Sequence, residues 1–84
     1  MHIQSLQPTS IESDSVLSIV ANQEGHLKVK VLDVQGKMAK SFETMVREGI
    51  QQLSINLADL SSGMYVLNAF SGEMFINSFR FTKQ

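Results

Sequence analysis

Apolar residues in this chain recur at every second position within short runs, and turn-forming residues separate the runs. The clearest run is His26–Leu32, where Leu27, Val29 and Val31 alternate with lysines. Successive side chains of a β-strand point to opposite faces, so this alternation predicts a strand with one buried and one hydrated face. Turn residues recur about every 8–12 positions, a spacing typical of a β-sandwich. The sequence therefore predicts an all-β fold, an antiparallel sandwich of short strands.

The same pattern predicts six strands between residues 16 and 82, and a seventh near the start of the chain. The six are Val16–Val20, His26–Leu32, Lys37–Thr44, Ile50–Leu57, Met64–Phe70 and Met74–Thr82. The seventh is Ile3–Gln7, which precedes Pro8 and so fits the edge of a sheet. These elements make a sandwich of about seven strands.

Alternation also predicts which side chains face the core. We expect inward-facing residues at Leu17, Ile19, Met38, Phe42, Phe75, Phe79 and Phe81. Residues 50–60 match a helical period as well, but Leu53, Ile55 and Leu57 alternate as a strand does. Isoleucine, serine, asparagine and aspartate are middling helix formers, so we favour a strand there.

Two turns carry residues with special backbone requirements. Asp33-Val34-Gln35-Gly36 suits a type I turn, because Asp at the first position bonds backbone N–H groups and Gly at the fourth tolerates a positive φ. Gly63 lies in the loop before the Met64–Phe70 strand, and we expect it to adopt a backbone angle that other residues disfavour.

Length and charge exclude several classes of protein. The 84 residues suffice for one domain, and the absence of cysteine excludes disulfides and thiolate chemistry. The net charge is −1 and the basic residues are dispersed, which argues against a nucleic-acid-binding surface. No apolar stretch approaches the roughly 20 residues that span a bilayer. The first residues lack the pattern of a secretory signal, and we expect the natural chain to extend upstream of Met1.

The chain offers few groups for chemistry. His2 and His26 are its only histidines, and we expect both to be exposed. Asp14, Asp33 and Asp59 do not fall in a calcium-binding loop, and Ser61-Ser62-Gly63 is not a nucleophile elbow. We therefore expect no catalytic residue, no metal site and no cofactor, and the protein is predicted not to be an enzyme.

Aromatic residues leave one binding alternative open. Phe70, Phe75, Phe79 and Phe81 are candidates for a sugar-binding row, although sugar-stacking faces usually use Trp and Tyr. Core packing is the simpler interpretation of these side chains. Tyr65 is likewise expected in the core, with its hydroxyl bonded to a nearby loop carbonyl.

The ordered set of motifs resembles a known family. The segments Val29–Lys37 and Ser61–Leu67, with Gly49, Leu57 and Leu60 between them, look like the C-terminal sorting domain of the type IX secretion system of Bacteroidetes. The resemblance covers about residues 16–84. It implies a seven-stranded Ig-like sandwich that serves as an address label for a secreted or cell-surface protein.

The resemblance also implies partners and site residues. It implies an upstream cargo domain, an outer-membrane translocon and a sortase, with passage through the periplasm to the cell surface or medium. Residues 1–84 would then form one sorting domain at the C-terminal end of a larger secreted protein. The matching positions, as recognition or fold determinants, are Asp33, Gly36, Gly63, Tyr65 and Lys83. The alternative is an Ig- or fibronectin-III-like accessory domain that binds carbohydrate or acts as a spacer in a secreted hydrolase or adhesin.

A recognition route also follows from the last strand. If Phe75–Lys83 lies at the edge of a sheet, its unpaired backbone groups can accept a strand from a partner.

Overall fold

Eight β-strands and no helix make up the protein, which a computed structural model describes over residues 1–84. In chain order they are β1 His2–Gln7, β2 Ser10–Ile11, β3 Asp14–Ala21, β4 Gly25–Asp33, β5 Met38–Val46, β6 Gly49–Asn56, β7 Gly63–Ser71 and β8 Met74–Lys83. All seven predicted strands are present, including the N-terminal one and the strand in residues 50–60. The sequence pattern missed β2, whose two residues are too few to show alternation.

The strands form two sheets that pack as an Ig-like sandwich. One sheet has the order β1-β3-β6, and the other has the order β2-β8-β7-β4-β5. Neighbouring strands are antiparallel except β2 and β8, which run parallel. The predicted all-β sandwich is confirmed.

The core lies between the sheets and consists of the alternate residues that the pattern predicts. Leu27, Val29 and Val31 of β4 are fully buried, and so is Leu17 of β3. Seventeen buried apolar residues form one cluster, against which Phe42, Leu53 and Phe79 are partly packed. Since the chain has no cysteine, this burial supplies most of the stabilisation.

Two residues that the pattern places inside lie outside, because a bulge shifts each strand. Met38 is 54% exposed, since Val31 pairs with Lys40 whereas Leu32 pairs with Met38, leaving Ala39 as the extra residue. Phe75 is 55% exposed for a similar reason in β8. An extra residue moves the next side chain to the opposite face of the sheet, and period-two reasoning cannot detect it.

The bulge in β8 also places the phenylalanines of β7 and β8 on different faces of the sheet. Ala69 pairs with Asn77 and Phe70 with Phe75, so the register shifts between them. Phe81 is buried and Phe79 packs on the core, whereas Phe70 and Phe75 meet edge to face with ring centroids 5.7 Å apart. The four phenylalanines therefore do not form one exposed row.

Strand β8 lies near one edge of its sheet, and that edge is partly closed. The short β2 pairs with Thr82 and Lys83, and the Thr9 carbonyl accepts the Thr82 N–H at 2.8 Å. Farther along, the Asn77 side chain accepts the Ser78 N–H at 2.8 Å and donates to the Ile3 carbonyl at 3.2 Å. Side-chain and strand contacts thus occupy backbone groups that an incoming strand would need.

Candidate functional site

The five residues singled out from the sequence lie at one end of the five-stranded sheet. We call this region the hairpin end; it comprises the 33–37 turn between β4 and β5, the 57–62 loop before β7, and the adjoining ends of β7 and β8. Asp33 pairs with Tyr65 across β4 and β7, and Gly63 pairs with Lys83 across β7 and β8. Gly36 lies in the turn itself. Sheet register therefore brings together residues that are up to fifty positions apart.

The turn at the hairpin end is closed by Asp33. Its Oδ1 accepts the backbone N–H groups of Gln35 at 2.9 Å and Lys37 at 3.0 Å. The Gly36 N–H donates to the Asp33 carbonyl at 3.0 Å, and Gly36 has a φ of 81°. Both predictions for this turn, the Asp hydrogen bond and the positive φ, are confirmed.

Tyr65 attaches the 57–62 loop to the sheet. Its side chain is 6% exposed, and its hydroxyl donates to the Ser61 carbonyl at 2.6 Å. The ring stacks on Phe81 of β8 with centroids 5.4 Å apart and planes 19° apart. The prediction of a core tyrosine bonded to a loop carbonyl is confirmed, and this bond joins the loop to β7.

Gly63 makes the turn from loop into strand possible. Its φ is 153°, which other residues rarely adopt, and an added Cβ would meet no atom within 4 Å. The requirement for glycine at this position is therefore one of backbone conformation, not of space.

Two lysines, Lys40 and Lys83, make polar contacts at the hairpin end on the side of the sheet that faces the core. Lys40 of β5 lies 3.0 Å from a carboxylate oxygen of Asp59 in the loop. The hydrogen bond from Lys40 lowers the pKa of Asp59, with a small further contribution from Lys83. Lys83 is 7% exposed, and its Nζ lies 3.4 Å from the Gln84 carbonyl. Sequence reasoning missed the Lys40–Asp59 pair, because nothing in the pattern relates β5 to this loop.

The structure shows no centre for metal chemistry. No three His, Cys, Asp or Glu side chains lie close enough together to bind a metal ion. His2 and His26 are both exposed, as the sequence predicts. No helix long and apolar enough to cross a membrane is present.

Comparison with known proteins identifies the family. A family model described as a secretion system C-terminal sorting domain matches residues 13–78, which is more than half of the chain. Searches of curated proteins and of solved structures gave no match. The matched range includes the Asp33 turn, Gly63 and Tyr65, and it begins just before β3. Domains of this kind are non-catalytic sorting signals that interact with the type IX secretion machinery and send proteins to the cell surface or out of the cell. The chain belongs to the family of C-terminal sorting domains of the type IX secretion system.

Proposed function

We propose that residues 1–84 form a single sorting domain that directs a cargo domain, joined to its N-terminal side, through the outer-membrane translocon of the type IX system. A sortase then removes the label, and the cargo is released or attached to the surface. The observation that carries the proposal is the family match over residues 13–78. The domain itself supplies recognition and no enzyme activity.

Asp33, Gly36, Gly63, Tyr65 and Lys83 act in this function by shaping the hairpin end. Asp33 holds the turn through two backbone N–H groups, and Tyr65 holds the loop through the Ser61 carbonyl. Lys83 is almost fully buried beside Gly63. Groups that are buried or bonded within the chain have little left to offer a partner. Their contribution is therefore the fixed shape that the translocon reads.

A secretion assay tests the proposal. A fluorescent reporter receives an inner-membrane export signal at its N-terminus and residues 1–84 at its C-terminus, in Bacteroidetes strains with and without a functional type IX translocon. We expect fluorescence outside the outer membrane only in the strain with the translocon. Periplasmic retention in both strains, with the domain folded, would contradict the proposal.

A further inference from the structure

The outward-facing side of the five-stranded sheet changes from apolar to polar along the strands. Side chains that are paired across β5, β4, β7 and β8 form rows on this face. Met64 pairs with Thr82 at the hairpin end itself, and the adjoining row contains Met38, Leu32, Val66 and Arg80. The next row contains Ser41, Lys30, Asn68 and Ser78. This polar row separates the apolar side chains at the hairpin end from those farther along the face.

Five apolar side chains make up this region, which we call the outer patch. They are Leu32, Val34, Met38, Met64 and Val66. Val34 is 78% exposed, Met64 58% and Met38 54%, so the patch is accessible to a partner. Contiguous exposed apolar groups on a small soluble domain mark interaction sites, and methionine adapts its shape to different partners.

The outer patch contains a shallow depression with a cation at its rim. Val34, Met64, Val66 and Arg80 line it, together with Asp33 and Tyr65. Arg80 has no ion-pair partner, because the two salt bridges of the protein are Lys28–Glu73 and Lys40–Asp59. The nearby Asp33 already accepts two backbone N–H groups of its own turn with Oδ1. A free guanidinium beside an apolar depression is complementary to an apolar group next to a carboxylate.

Other apolar side chains lie farther along this face, where Phe75 is 55% exposed, Met45 is 50% exposed and Phe70 is half-buried. Phe70 packs edge to face on Phe75, and the Lys30 Nζ lies 5.1 Å from the centroid of the Phe70 ring. Lys28 and Glu73 form a salt bridge at 2.8 Å on the same sheet. The outer patch has neither an aromatic pair nor a paired charge over it.

We propose that the outer patch and Arg80 form the docking surface for a component of the export machinery. The matching segment of that partner carries an aliphatic side chain that enters the depression and a carboxylate that pairs with Arg80. This inference rests on the proposed function, since it names the surface through which the sorting signal is read.

Substitutions in the reporter described above test the docking surface. Met64→Lys places a charge in the patch, and Arg80→Glu reverses the charge at its rim. We expect each to reduce the exported fraction at least tenfold, with the reporter retained in the periplasm. Arg80→Lys keeps a positive charge and should retain most of the export. Ile50→Lys is the matched control, because Ile50 is 85% exposed on the opposite sheet, and its export should equal that of the unsubstituted reporter.

The outcomes separate this inference from the function on which it rests. If the unsubstituted reporter is not exported, the proposed function fails and the docking surface fails with it. If it is exported and Met64→Lys is exported equally well, the docking surface alone is wrong. Purified variants must keep the melting temperature of the unsubstituted chain, which shows that retention reflects lost docking. Light scattering is expected to show a monomer; a dimer that Met64→Lys dissociates would assign the patch to a second copy and overturn the proposal.

Discussion

Asp33 and Tyr65 lie directly opposite each other in the antiparallel pairing of β4 with β7. Asp33 closes the 33–37 turn, and Tyr65 holds the 57–62 loop through the Ser61 carbonyl. This pair of residues thus anchors both the 33–37 turn and the 57–62 loop at the same position in the sheet. Residues of both segments line a depression together with Val34 and Met64 of the outer patch, so their placement shapes the edge of the proposed docking surface.

Asp33→Ala should destabilise the protein by leaving two turn N–H groups without their acceptor. Hydrogen bonds to a charged acceptor contribute about 1.5–3 kcal/mol, and an exposed turn falls at the lower end because water replaces part of the loss. We expect a loss of about 1–2 kcal/mol, or roughly 4–16 °C in melting temperature for a domain of this size. Asp33→Asn keeps an acceptor oxygen and should lose less than half as much. Equal losses for Asn and Ala would show that the side-chain acceptor is unimportant.

Tyr65→Phe should isolate the contribution of the hydroxyl group. The substitution keeps the stack on Phe81 but removes the donor to the Ser61 carbonyl. The bond is only part-buried, and losing a typical intramolecular hydrogen bond costs about 0.5–1.5 kcal/mol, measurable by urea unfolding. Ser61→Ala is the control, since the Ser61 hydroxyl makes only a 3.3 Å contact to Tyr65 and its loss should cost under about 0.5 kcal/mol. A Tyr65→Phe variant as stable as the unsubstituted chain would refute the proposed anchoring of the loop.

Much of the fold was predictable because a half-buried sheet imposes period-two alternation. In β4, the three buried residues Leu27, Val29 and Val31 alternate with outward-facing lysines, so the sequence alone identifies the strand and its orientation. The Asp33 turn was predictable as well, since its hydrogen bonds are local. The hydrogen bond of Tyr65 was also predictable, because a buried hydroxyl group needs a hydrogen-bond partner.

Non-local features were not predictable. Met38 and Phe75 face outward because bulges shift their register, and a bulge depends on the partner strand. Strand β2 exists only because Ser10 and Ile11 lie beside the end of β8. The Lys40–Asp59 pair and the outer patch depend on which strands are neighbours, so they required the three-dimensional structure.

Gly63→Ala should cost stability although there is room for the methyl group. The cost arises from the φ of 153°, and sparsely populated backbone conformations cost about 1–3 kcal/mol. Gly25→Ala is the matched control, because Gly25 has no positive φ and an added Cβ would meet only the Met1 side chain at 3.5 Å. We expect the control to change stability by less than about 0.5 kcal/mol. If both variants melt at the same temperature, the claim that position 63 requires glycine for its backbone conformation is wrong.

Because of the Lys40–Asp59 pair, part of the stability of the 57–62 loop should depend on pH and be lost in acid. The hydrogen bond from Lys40 lowers the pKa of Asp59 in the folded protein, below the value of about 3.9 expected when the chain is unfolded. A carboxyl with a depressed folded pKa stabilises the fold above its unfolded pKa, and this contribution disappears as pH falls through the folded pKa. The effect is small, since Asp59 is exposed, and salt should weaken it.

A carboxyl titration followed by NMR is the direct test of this pair. In Lys40→Met, the pKa of Asp59 should rise toward its ordinary value, because the hydrogen-bond donor and the neighbouring charge are both lost. Lys28→Met is the matched control: it removes the partner of Glu73 on the outward-facing side of the sheet, and so should raise the pKa of Glu73 while leaving that of Asp59 unchanged. An Asp59 pKa that does not move in Lys40→Met would show that the ion pair does not persist in solution. The loop would then be held mainly by Tyr65 and by the buried Leu57 and Leu60 side chains.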